Sequence, residues 1–276
     1  MTKSKTKEVA VKENTSLATY DYGEDANVGV TVESIDELST PFLGLLQALS
    51  PAVKDRLIDG AESGDFLDSI TQELFKGEEG LILQVAEIQR EFVEWIPRKQ
   101  GGGFVGRHTP DSQTVADAKK HAEQEGLPYG TLKTGENFVN DLVETYYVYA
   151  NILDETGENM ETFVVIPFKS TMIKAIADFR TAINRLPINA PIWAYRVVLK
   201  SKKVEKNGES WHAPTITAFN GGYKASLIDP KGALYEAGKA YNGQVTAGEI
   251  ELDMSKEGGA TEATTSSGSG DEDIPF

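Results

Sequence analysis

The spacing of hydrophobic positions changes period several times along the chain, and each change marks an element. Over residues 81–96 (LILQVAEIQREFVEWI) apolar and polar side chains alternate, with Leu81, Leu83, Val85, Phe92 and Trp95 as the apolar set, which predicts a long strand. Residues 97–108 (PRKQGGGFVGRH) follow, and their proline and glycines predict a loop. Asp111 or Ser112 is placed to cap a short polar helix that ends at Gly126. Residues 143–153 (VETYYVYANIL) and 160–168 (METFVVIPF) are dense in β-branched and aromatic residues, and the turn composition DETGEN between them predicts a hairpin. The period then lengthens. Met172, Ile176, Phe179, Ile183 and Leu186 recur at four-three-four-three spacing, predicting an amphipathic helix started by Ser170 or Thr171 and stopped by Pro187. Strands at 192–206 and 209–219 flank Asn207-Gly208, a pair that tolerates the positive φ of a type I′ turn. At the front, 41–49 and 53–58 carry close-spaced apolar residues and read as partly helical.

The order strand, hairpin, helix, hairpin predicts a mainly β fold with helices (α+β). It suits an OB-fold-like small barrel with insertions better than a doubly wound α/β sheet. Residues 1–40 are polar and acid-rich, with few periodic apolar positions, and are expected to form a disordered arm. The body is expected over 41–248. Residues 249–276 are expected to be a flexible linker and acidic tail, since 258–270 (GGATEATTSSGSG) cannot build a core.

Composition narrows the class. Hydrophobic residues at 39% and charged residues at 25% are ordinary for a soluble domain. The absence of cysteine excludes disulfides, thiolate zinc sites and cysteine nucleophiles, and fits a reducing cytoplasm. No apolar run approaches the roughly 18 residues of a membrane span, and the lysines of the N-terminus have no apolar stretch behind them, so neither a membrane partner nor a secretory signal is expected. A net charge of −16 argues at first against a polyanionic ligand. The charge is concentrated at the ends, however: −4 in residues 1–40 and −7 in 249–276, which leaves −5 for the body and room for a local basic face.

The Asn207-Gly208 turn allows such a face to be derived. With a two-residue loop, Lys206 faces Glu209, Val204 faces Trp211, Lys202 faces Ala213, Lys200 faces Thr215 and Arg196 faces Phe219. One face of the ribbon is then basic with interleaved aromatics. The other carries Tyr195, Val197, Leu199, Ile216 and Ala218, suited to a core. Cations neutralise phosphates and aromatic faces stack on any base, at about 1–3 kcal/mol per base. The competing reading is a solvated outer strand with Trp211 and Phe219 packed beneath a helix. A second candidate lies in 90–108, where Arg90, Arg98, Lys99 and Arg107 sit among Phe92, Trp95 and Phe104, and Gly101-Gly102-Gly103 would admit a phosphate close to backbone. It lacks the Gly-Lys-Ser/Thr ending of a P-loop, and its competing reading is a mobile hairpin tip.

The final six residues are Asp271-Glu272-Asp273-Ile274-Pro275-Phe276. They resemble the acidic C-terminal tip of bacterial single-stranded DNA-binding proteins, Asp-Asp-Asp-Ile-Pro-Phe, with Glu272 replacing the middle aspartate. As in that family, a Gly/Ser/Thr-rich linker precedes the tip. The polar N-terminal arm and larger body make the chain more similar to phage-encoded members than to the compact bacterial ones. The resemblance implies binding of single-stranded DNA in the cytoplasm, that of a bacterial host if the chain is phage-encoded. It also implies recruitment of replication, recombination and repair proteins such as helicases, nucleases and polymerase accessory factors. An aromatic ring and free carboxylate at Phe276 would suit an apolar pocket rimmed by arginine or lysine. A homo-oligomer is compatible with these expectations.

Two rival functions share these features: a single-strand annealing recombination protein, and an acidic decoy that presents the tip without binding DNA. An enzyme is not expected, nor is any cofactor or metal. His108, His121 and His212 stand apart without paired-ligand spacing, and Asp229-Pro230-Lys231 and Pro110-Asp111 do not assemble a metal site.

Overall fold

The computed structural model describes residues 39–257 apart from Tyr129, so most of the N-terminal arm and the whole of 258–276, including the Asp271–Phe276 tip, lie outside the described residues. Three short strands come first. β1 (Leu43–Leu45), β2 (Phe66–Asp68) and β3 (Leu74–Phe75) pair antiparallel in that order, with the single-turn helix α1 (Pro51–Lys54) between the first two. The helical expectation for 41–49 is therefore corrected. Leu43 is part of a strand whose side chain enters the main core, and only the turn at 51–54 is helical.

A larger sheet holds the remaining strands. In chain order these elements are β4 (Leu81–Trp95), β5 (Phe104–His108), α2 (Gln113–Glu125), β6 (Leu132–Thr134), β7 (Asn140–Leu153), β8 (Met160–Lys169), α3 (Ile173–Asn184), β9 (Arg196–Lys206), β10 (Glu209–Ala218) and α4 (Ala233–Ala247). The sheet order is β10-β9-β4-β7-β6, with β5 also on β4 and β8 also on β7, all antiparallel. The antiparallel pair β4–β7 is the spine.

The alternation read in β4 is interrupted by a bulge between Val85 and Glu87, so that Val85 and Ala86 are both fully buried, on opposite faces. Before the bulge, Leu81, Leu83 and Val85 enter the main core with Val148, Ala150, Ile166, Phe179 and Val197. Ala86 and Val93 instead join Tyr147, Tyr149 and Val165 beneath Tyr241 and Val245 of α4. Phe92 joins a third core, under Val115 and Ala118 of α2. One strand thus serves three cores, each covered by a different helix.

The loop expected over 97–108 is shorter than the composition predicts. Residues 104–108 form β5, with Val93 opposite Arg107, and the turn closes where the Ile96 amide donates to the Gly103 carbonyl at 2.9 Å. Gly101, Gly102 and Gly103 all have positive φ, so the run serves the chain reversal. Ser112 caps α2 by accepting from the Val115 amide, and Gly126 ends it in the left-handed conformation.

The sheet is open, which corrects the expected small barrel. No ladder joins β8 to β10 among the described residues. The small sheet stands between these edges. On one side Phe42 makes a parallel bridge to Val165 of β8, whose amide donates to the Pro41 carbonyl at 2.9 Å. On the other, the Gln47 side chain bonds both the amide and the carbonyl of His212 in β10, each at 2.9 Å. The Ser201 amide of β9 donates to the Gly77 carbonyl at 2.9 Å. Edge groups that would close a barrel are satisfied by this inserted sheet instead.

Packed chain continues beyond α4. Ile250 and Leu252 pack on the second core, and Met254 is buried in it. Glu257 accepts from the Tyr147 hydroxyl at 2.9 Å and pairs with Lys169 at 2.6 Å. Among the described residues no helix is long and apolar enough to cross a membrane.

Candidate nucleic-acid interface

The β9–β10 ribbon has the register read from its turn. Trp211 lies opposite Val204, Ala213 opposite Lys202 and Thr215 opposite Lys200. Asn207 and Gly208 both take positive φ, 56° and 87°. Val197 and Leu199 are fully buried in the main core, so the intervening positions point outward. Lys200 and Lys202 are exposed and make no ion pair with another described residue.

Arg196 belongs to the same face but is already engaged. Its guanidinium pairs with Glu158 at 2.6 Å, donates to the Gly157 carbonyl at 3.2 Å and lies 5.4 Å from the centre of the Phe219 ring. Only 11% of its side chain is exposed. Arg196 and Phe219 therefore fasten the β7–β8 turn to the end of β10. Trp211 is half-buried, and its buried indole N–H finds no acceptor among the described residues.

The second candidate divides in the same way. Arg107 forms a two-pronged pair with Glu91, one arm at 2.6 Å, and lies 5.3 Å from the Tyr147 ring. Its pKa is raised because the Glu91 hydrogen bond and charge outweigh desolvation by burial, the largest single effect. Trp95 packs edge-on to Phe104 at 5.7 Å, and the Lys169 ammonium lies 5.4 Å from the Trp95 ring. Arg98 and Lys99 are exposed on a 3-10 turn at the hairpin tip, beside exposed Phe104 and Val105.

These two groups are not brought together. β9 meets β4 only at Leu81–Gln84, whereas β5 meets the same edge at Phe92–Trp95. The distance along the strand from Leu81 to Trp95 is roughly 45 Å at ordinary strand rise. Lys200 and Lys202 lie past the near end, and Arg98 and Lys99 past the far end.

A cavity that the residue pattern did not foretell lies on the β4–β7 pair, on the sheet face of Leu83 and Val148 and not on that of Lys200 and Lys202. On β4–β7, Arg90 stands opposite Tyr146 and Phe92 opposite Glu144. The Arg90 guanidinium is 5.4 Å from the Phe92 ring and 5.9 Å from the Tyr146 ring, and it pairs with Glu144 at 2.7 Å. A cavity of about 290 Å³ opens beside Tyr146 under α3, lined also by Ile173, Ala177, Arg180, Thr181 and Asn184. Arg90 and Phe92 had a visible signal in the basic-aromatic run at 90–108. Tyr146 and Arg180 had none, because they meet only when α3 folds against β7.

The histidines have separate roles. His108 pairs with buried Glu94 at 2.9 Å, His121 stacks on Phe138 at 3.8 Å, and His212 meets the Ser63 hydroxyl at 2.8 Å. Among the described residues no group of acids and histidines is arranged to hold a metal ion.

Residues 10–251 match the family described as Pam3 phage gp34-like protein. The match spans most of the chain, and the protein belongs to this phage family. No curated protein and no solved structure matches it.

Proposed function

We propose that this protein binds and protects single-stranded DNA during replication, recombination and repair, and recruits partner proteins through Asp271–Phe276. The observation that carries the reading is the outward face of β9, where Lys200 and Lys202 are exposed directly behind core residues Val197 and Leu199. Cations that make no ion pair among the described residues and stand on a rigid strand offer a fixed place for phosphates. The strand path gives further support. β8-β7-β4-β9-β10, with a helix joining β8 to β9, follows the connectivity of a five-stranded OB-type barrel left open at one seam, a scaffold used for oligonucleotides. Membership of a phage family is consistent with the phage-encoded proteins that the tip resembles.

The test is titration of intrinsic tryptophan fluorescence with oligo-dT at low and high salt. Salt-sensitive quenching is expected. Replacing Lys200 and Lys202 by alanine should weaken binding and lower the salt slope by about 1.4, from roughly 0.7 per phosphate contact on a single strand. Deleting 271–276 should leave binding intact or tighter while abolishing capture of partner proteins. Absence of any salt-sensitive binding by the intact chain would overturn the proposal.

A further inference from the structure

The cavity under α3 has cations close to it although the molecule is acidic overall. Its floor is the β4–β7 ribbon, with Tyr146 half-buried and Arg90 opposite it. From the α2 side the Lys119 ammonium lies 5.1 Å from the Phe92 ring. From the α3 side Arg180 is exposed at the cavity rim and makes no ion pair with another described residue. Three cations from three elements thus border a pair of aromatic rings, and Glu144 balances only Arg90.

The cavity beside Tyr146 holds about 290 Å³, near the lower end of small-ligand sites, roughly 300 Å³, and of a size for one flat ring system rather than an extended molecule. Ile173 and Ala177 supply an apolar wall. Thr181 and Asn184, both exposed on α3, add a hydroxyl and an amide able to donate and accept at the edge of a planar heterocycle. An aromatic face, an apolar wall, a polar edge and flanking cations are the parts needed to stack a base and neutralise the phosphates on either side of it.

We infer that the α3–β7 cavity is a nucleotide subsite, in which one base of a single strand stacks on Tyr146 while Arg180 and Arg90 meet adjacent phosphates. This rests on the proposed single-strand binding and deepens it. It places the strand's anchor on the core-facing side of β4–β7, the sheet face opposite to the one from which Lys200 and Lys202 project.

The experiment uses the full chain and an oligo-dT carrying 5-iodo-deoxyuridine. Ultraviolet crosslinking followed by peptide mapping is expected to give an adduct at Tyr146. In parallel, anisotropy titration of labelled oligo-dT should show Arg180→Glu and Tyr146→Leu weakening binding about tenfold, with Tyr146→Phe close to wild type. Arg180 is exposed, so its variant keeps the test intact if Tyr146→Leu fails to fold. Wild-type binding that is unchanged in Arg180→Glu, with adducts confined to Trp211 or Trp95, would overturn the subsite and leave the broader reading standing. No binding by the wild-type chain would remove both.

Discussion

The Tyr147 hydroxyl donates to the Glu257 carboxylate at 2.9 Å, a contact that spans 110 residues of sequence. The same carboxylate pairs with Lys169, and its side chain is fully buried. Glu257 therefore fastens the segment that follows α4 to both β7 and β8.

Replacing Glu257 by alanine should destabilise the protein by about 1–3 kcal/mol, because the buried Tyr147 hydroxyl loses its acceptor. Glu257→Gln should cost less, since the amide oxygen still accepts while only the ion pair to Lys169 is lost. Urea denaturation followed by tryptophan fluorescence measures both, with an unchanged slope expected in each case.

Alkaline pH should loosen the second core. Burial raises the pKa of Tyr147 and Tyr241, and that of Tyr149 to about 12, from the ordinary 10.0. The fold favours the neutral phenol. Its contribution is therefore complete below pH 10 and is lost as pH rises from 10 through 12. Phenolate absorbance at 295 nm should show these tyrosines titrating late and together with unfolding, and Tyr149→Phe should make stability less steep in that range.

Arg107 and Lys200 should separate structural from ligand-binding cations. Arg107→Ala should cost about 2–3 kcal/mol, because half-buried Glu91 is left without its partner. The folded variant should keep its affinity for oligo-dT. Lys200→Ala should do the reverse, with thermal melting unchanged and affinity reduced.

Gln84 ties α4 to the sheet. Its amide donates to the Trp193 carbonyl at 2.9 Å and the Leu234 carbonyl at 2.8 Å, and accepts from Asn151 at 2.9 Å, with no exposed surface. Gln84→Leu strands all three groups and should cost about 2–4 kcal/mol. Gly238→Ala should act similarly, since an added methyl would collide with the Gln84 amide. Denaturation together with the near-ultraviolet signal of Trp193 checks both.

Where side-chain pattern and turn chemistry agreed, the sequence was readable. The β7–β8 and β9–β10 hairpins, α2 and α3 follow from β-branched density, Asn207-Gly208, Ser112 and the four-three spacing. α4 went unread because its ALYEAGKAYNGQVTA stretch mixes glycine and alanine with few large apolar residues, so its inward stripe of Tyr241 and Val245 has little contrast. β1, β2, β3 and β6 are only two or three residues long, too short for a period to register. The basic face was legible as register but not as availability. Whether Arg196 is free depends on Glu158 in another hairpin, and whether Arg107 is free depends on Glu91 across the sheet.

The inserted small sheet also has a consequence for how the molecule comes to be made. Its contacts to β10 join Gln47 and His212 across 165 positions, while its own strands come first among the described elements. During synthesis that sheet emerges with one flank unmatched and stays so until the ribbon around residues 201–212 is produced. Assembly is thus delayed until late in translation, and loop closure over such a span makes it slow. Until then the flank of the small sheet that later meets His212 is open to neighbouring chains, and that interval is when nascent protein is expected to be most prone to aggregation.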